Sequence, residues 1–78
     1  MSNYYNDVQR ANREVDTAVS EIVLRQGAEL NINKLILDIT SKFPVGDKVV
    51  TKRINLMMKV NKSLRLVEEN LFSVGDDV

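Results

Sequence analysis

At 78 residues the chain is the size of one domain, and a chain that short buries only roughly 60–65% of its unfolded surface. Its composition, 44% hydrophobic and 28% charged with one proline and three glycines, argues against disorder along most of its length. Cysteine and histidine are absent and the formal charge sums to zero, which excludes disulfides, removes the commonest general base and the thiol nucleophile, and disfavours structural zinc.

The first helix is the clearest element. Tyr4, Val8, Ala11, Val15, Ala18, Val19 and Ile22 follow the three-or-four spacing of one helical face. Asn3 or Ser2 can cap its start, and Gly27 suits the left-handed residue that closes a helix. The helix is expected within residues 1–26, roughly 30 Å long at about 1.5 Å per residue. That exceeds what two shorter helices can cover. Tyr4, Tyr5, Val8 and Ala11, and Val15 after them, are therefore the expected contact set for a second copy of the same helix. Fraying of the first few residues is the competing expectation.

A short connection carries Leu30, which reads as an edge strand. The second helix is expected from about Asn33 to Lys42, capped by Asn31 or Asn33, with Ile32, Leu35, Ile36, Ile39 and Phe43 as its buried stripe. Pro44 disfavours helical geometry at Phe43 and stops it. Val45-Gly46-Asp47 is the turn: Gly46 can take positive φ, and Asp47 suits an N-cap at the positive end of the next helix. In the third helix, Val50, Ile54, Met57 and Met58 face inward.

Asn61-Lys62-Ser63 breaks the helical pattern. Leu64 and Leu66, then Phe72 and Val74, alternate as strand positions, with Glu68-Glu69-Asn70 at the bend. Against this hairpin stands a seven-residue seam through Val50, Met57, Leu64 and Leu71, which would extend a single helix from Asp47 to Leu71. Leu66-Val67, Phe72 and Val74 favour the hairpin. Residues 75–78 read as a frayed polar tail.

Charge is unevenly placed. From Lys42 to Arg65 there are seven basic residues and one acidic residue, Asp47; the segment before carries four basic and six acidic residues. At about 100° per residue, Lys48, Thr51, Lys52, Asn55, Lys59 and, if the helix reaches it, Lys62 fall on one arc opposite Val50 and Ile54. Ordinary surface helices intersperse both signs, and this arc has no acidic residue. It reads either as an electrostatic footprint for nucleic acid or as a solvated helix face.

From Leu30 to Val74 the order resembles the winged helix-turn-helix superfamily. It is carried by Leu30-Asn31-Ile32, Leu35-Ile36-x-x-Ile39, Pro44-Val45-Gly46-Asp47, Val50-x-x-x-Ile54-x-x-Met57-Met58, and Leu64-Arg65-Leu66-Val67 into Leu71-Phe72-Ser73-Val74. These cover a little over half of the chain. The resemblance implies a single mainly α domain over 1–78: a long first helix, two further helices and a small C-terminal β-hairpin, the wing. It also implies a dimeric regulator of the kind plasmids, viruses and archaea carry. Its partner would be double-stranded DNA, read by the third helix. Lys48, Thr51, Lys52 and Asn55 would face base edges, and Lys59, Lys62 and Arg65 would touch phosphates. Glu68 and Glu69 at the wing tip oppose a wing–DNA contact. A protein-interaction module or small inhibitor on the same scaffold is the alternative.

No catalytic constellation is visible, and Gly27, Gly46 and Gly75 are too isolated for a phosphate loop. The chain is expected not to be an enzyme and to take no metal, cofactor or small-molecule ligand. Its N-terminus lacks the features of a signal peptide, and no apolar run approaches the roughly 20 residues of a membrane span. A cytoplasmic protein is expected, whether cellular or acting in the cytoplasm of a plasmid's or virus's host.

Overall fold

The computed structural model describes residues 3–25 and 27–74. Along them run α1 (Tyr4–Leu24), β1 (Glu29–Asn31), α2 (Ile32–Lys42), α3 (Asp47–Val60), β2 (Leu64–Val67) and β3 (Asn70–Ser73). The expected frayed tail, 75–78, and the alternative cap Ser2 lie outside the described residues.

Each helix boundary has a local cause. Asn3 Oδ1 accepts from the backbone N–H groups of Tyr5 and Asn6 at 3.1 and 3.4 Å, satisfying donors that the first turn of α1 leaves open. Arg25, in extended geometry, ends that helix, and the N–H of Ala28 then donates to the carbonyl of Arg25 at 2.9 Å. Gly27 has a positive φ of 90°, but it sits in this return turn rather than closing the helix. Asn31 caps α2, its Oδ1 accepting from the N–H of Lys34 at 2.9 Å. Pro44 acts as expected: Phe43 before it is extended at φ −127° and ψ 143°.

Two expectations at the start of α3 are corrected. Gly46, not Asp47, is the N-cap, and it is extended at φ −86° and ψ 165°, so the turn needs no left-handed residue. Asp47 is the first residue of the helix, where its carboxylate still favours the positive end of the helix dipole.

α3 stops at Val60 because Asn61 departs to φ −105° and ψ 96°, while its side-chain amide donates to the carbonyl of Met57 at 2.9 Å. The seven-residue seam therefore does not extend the helix, and the chain returns as the hairpin β2–β3. β3 lies in the middle of a three-stranded antiparallel sheet, ordered β1-β3-β2. Leu64 pairs with Ser73, Leu66 with Leu71, and Leu30 with Leu71. Directly opposed residues share a face, so Leu30, Leu64, Leu66, Leu71 and Ser73 turn toward the helices, while Arg65 and Phe72 share the outer face. The inward residues of β3 are thus Leu71 and Ser73, not Phe72 and Val74. The expected alternation was displaced by one residue, which exchanges the two faces. Leu71 is fully buried; Leu66, nearer the wing tip and beyond the cover of the helices, is 44% exposed.

One cluster forms the core: Ala11, Val15, Val19 and Ile22 of α1, Leu35 and Ile39 of α2, Val45 of the turn, Val50 and Ile54 of α3, and Leu64 and Leu71 of the sheet. A fully buried aliphatic side chain of this kind contributes about 1.5–3 kcal/mol. Ala11 and Val15 have no exposed surface, because the chain's own core covers them. They offer nothing to a second copy and leave the expected dimer contact set. Among the described residues, three helices and a small three-stranded antiparallel sheet, its first strand between α1 and α2, make a layout compatible with a winged helix-turn-helix. Among the described residues, no helix is long and apolar enough to cross a membrane.

Candidate nucleic-acid interface

Around its axis α3 presents a core face, an outward ridge and the two flanks of that ridge. Val50 and Ile54 face the core. Lys48, Thr51, Lys52, Asn55 and Lys59 are all exposed and form the outward ridge, as their angular positions require. Lys62 does not join this ridge: the helix ends before it, and it stands exposed in the link to β2. Arg65 lies in β2 and is folded back, its Nη1 donating to the carbonyls of Lys62 and Leu64 at 2.7 and 2.9 Å. Lys62 and Arg65 therefore sit together at the exit from α3.

The seven cations of the basic block are of two kinds. Arg53 grips Asp16 of α1 with both ends of its guanidinium, Nε to Oδ1 at 2.8 Å and Nη2 to Oδ2 at 2.7 Å. Lys42 Nζ lies 3.1 Å from Glu14 and 3.6 Å from Asp38. The hydrogen bond that Lys42 donates to Glu14 and the nearby charge of Asp38 hold the Lys42 ammonium above its ordinary pKa, and the bond to Asp16 does the same for Arg53. Among the described residues, Lys48, Lys52, Lys59, Lys62 and Arg65 have no ion-pair partner. Sequence spacing did not separate the two kinds, since Asp16 is 37 residues from Arg53 and Glu14 is 28 from Lys42.

The two flanks of the ridge differ. Toward α1 lies a groove of about 680 Å³, walled by Tyr4, Val8, Val49 and Leu56 and rimmed by Lys52 and Lys59. Toward the wing lies a cleft of about 580 Å³, lined by Ile32, Asn33, Thr51, Asn55, Glu68 and Glu69 among others. Glu69 holds the wing down: its Oε2 accepts from Asn33 Nδ2 at 2.8 Å and its carbonyl accepts from the N–H of Ile32 at 2.8 Å. That carbonyl meets an N–H at the start of α2 that has no partner within the helix. A second tie joins Asn31 Nδ2 to Asn70 Oδ1 at 3.2 Å. Glu69 is thus a structural latch, a role its position at the hairpin bend did not reveal. Glu68 beside it is held at φ 57°, in the left-handed region.

Of the expected self-association set, Tyr4 and Tyr5 remain 56% and 67% exposed. Val8 is half-buried, and both Tyr4 and Val8 line the groove rather than projecting clear of α3. Among the described residues, no group of three or more carboxylates is gathered to hold a metal ion.

Fold and surface define a small three-helix module with an antiparallel sheet, whose third helix turns a cation-bearing ridge to solvent. Comparison with family models, curated proteins and solved structures finds no match to this chain.

Proposed function

We propose that the chain is a small DNA-binding protein of the winged helix-turn-helix kind, a transcriptional or genome-maintenance regulator that inserts α3 in the major groove. The observation that carries this reading is the unpaired ridge. Among the described residues, Lys48, Lys52 and Lys59 stand exposed on one helix without an ion pair, while Lys42 and Arg53 of the same block are paired with acids of α1 and α2. Lysine donates to guanine acceptors, and asparagine pairs bidentately with adenine, so Lys48, Thr51, Lys52 and Asn55 are the base-facing set. Lys59, Lys62 and Arg65 supply phosphate contacts. The wing stands off the duplex, because phosphates repel Glu68 and Glu69.

Pairing of two copies through the first turns of α1 belongs to this reading and would set two α3 helices about 34 Å apart. A stable interface buries about 800 Å² per partner. Two partly exposed tyrosines cover less than that, so pairing is weak and concentration-dependent, and sedimentation at about 100 μM tests it.

Titration of a random duplex with salt tests the DNA reading. Micromolar affinity at 50 mM salt, falling steeply by 200 mM, is expected. Lys52→Glu should weaken binding at least tenfold and leave the urea midpoint unchanged. An unaffected Lys52→Glu protein would remove α3 from the interface.

A further inference from the structure

The groove between α1 and α3 is not the surface a DNA ridge needs. Its walls are apolar: Tyr4 and Val8 from α1, Val49 and Leu56 from α3. Tyr4 and Leu56 are 56% and 44% exposed, so apolar area that the core does not use stays in water. Scattered apolar residues are normal on a surface, but here they line one concavity. Duplex DNA offers that concavity little, since its outer surface is phosphate and sugar.

Charge decides what fits. The residues lining the groove include three cations, Lys52, Arg53 and Lys59, and no acidic side chain. Arg53 is neutralised by Asp16, which leaves Lys52 and Lys59 on the rim without an ion pair among the described residues. A second copy seated there by two-fold symmetry would set these lysines against their own counterparts, with half-buried Asp7 of α1 as the nearest acid in sequence. Another chain with apolar anchors and surrounding carboxylates meets the walls with the first and the rim with the second. The length of α3 alongside the groove suits a helix, read as anchors at i, i+3 or i+4, and i+7.

We propose that the α1–α3 groove is a docking site for an acidic amphipathic helix of another protein, and that such a helix competes with DNA for α3. Lys52 and Asn55 belong both to the groove and to the outward ridge, so an occupant of the groove covers part of the ridge. The competition rests on the DNA reading of α3; the docking does not.

The test uses the full chain and two labelled helical peptides of equal length. Both carry Leu and Phe at i, i+4 and i+7; one has Glu at the remaining exposed positions, the other Lys. Fluorescence anisotropy should give tens-of-micromolar affinity for the Glu peptide and at least tenfold weaker binding of the Lys peptide. Leu56→Glu, with its fold verified by circular dichroism, should weaken the Glu peptide at least tenfold, and Lys59→Gln about threefold. Unlabelled Glu peptide should release a random duplex from the wild-type protein.

Equal binding of the two peptides, or none of the Glu peptide up to 1 mM, overturns the proposal. So does a dimer at 100 μM that Leu56→Glu dissociates, because the occupant is then a second copy. A protein that binds the duplex but not the peptide loses the groove and keeps the DNA reading. One that binds the peptide but not the duplex loses the DNA reading and the competition, and keeps the groove.

Discussion

The two flanks of α3 are finished to different degrees. On the wing side the polar groups close on one another: Asn33 on Glu69, Ile32 N–H on the Glu69 carbonyl, Asn31 on Asn70. On the α1 side, Tyr4 and Leu56 are open to water and Lys52 and Lys59 lack counter-charges among the described residues. Polar groups satisfied from within gain little by binding, and although Leu66 on the wing side is as exposed as Leu56, only the α1 side joins exposed apolar area to unpaired cations, which gain from both burial and electrostatic attraction. Under the proposed function, the wing serves the integrity of the fold and the α1–α3 side serves recognition. That division predicts that substitutions on the wing side change stability and those on the other side change binding.

The largest effect tests that division directly. Leu71 is fully buried in the central strand, with Leu30 and Leu66 as its neighbours across the sheet. Leu71→Ala should cost about 3 kcal/mol through lost burial and the cavity left behind. That is a large share of the roughly 5–10 kcal/mol that holds a domain of this size. Leu56→Ala, the same truncation in the groove, should cost under about 0.5 kcal/mol. Urea unfolding of the two variants supplies both numbers. A comparable loss for each would mean that the groove wall is core, and the contrast between flanks would collapse.

Next in size is the link between the flanks and the first helix. The Arg53–Asp16 pair is bidentate and only about a third exposed, 31% and 34%, so water screens it incompletely. Asp16→Ala leaves the guanidinium without its partner and should cost about 1–2 kcal/mol, a fall in the midpoint of roughly 4–8 °C per kcal/mol. Glu14→Gln, at the half-exposed Lys42, should leave the thermal midpoint within error. Asp16→Ala also adds an unpaired cation beside Lys52. Weakened folding with undiminished duplex affinity is therefore the expected combination. Loss of affinity in step with stability would show that Arg53 and its partner position the reading face.

How far this was legible in the sequence follows from the range of the interactions. Helix starts, stops and the hairpin rest on neighbours: Asn3, Asn31, Pro44 and Asn61 act within four residues of themselves. Those elements could be read in order, and so could the ridge, because helical geometry alone puts Lys48, Lys52, Asn55 and Lys59 together. The register of β3 depends on a pairing between strands: Leu30 with Leu71 spans 41 residues, and a one-residue displacement in an alternating pattern leaves the pattern intact. The sorting of the basic block into paired and unpaired cations depends on α1 lying against α3. The first helix was expected to project, yet its apolar stripe meets α3 far enough along to bury Ala11 and Val15 and to place Tyr4 and Val8 on a groove. What a helix packs against cannot be read from its own periodicity.

The smallest effect tests whether the wing tip is only structural. The loop between the paired residues Val67 and Asn70 has two residues, and such loops need positive φ at the first. Glu68 occupies that position at φ 57°, where a side chain costs about 1–2 kcal/mol relative to ordinary backbone. Glycine removes that cost but loses more entropy on folding, which takes back about 0.5–1 kcal/mol. Glu68→Gly should therefore stabilise the protein by about 0.5 kcal/mol, a rise of roughly 2–4 °C in a thermal scan. Removing the carboxylate should also raise duplex affinity modestly, since Glu68 lines the cleft beside Thr51 and Asn55. A lower midpoint would mean that the Glu68 side chain contributes to the fold beyond its backbone strain. A higher midpoint with weaker duplex binding would place that carboxylate at the interface, and the wing would then belong to recognition as well.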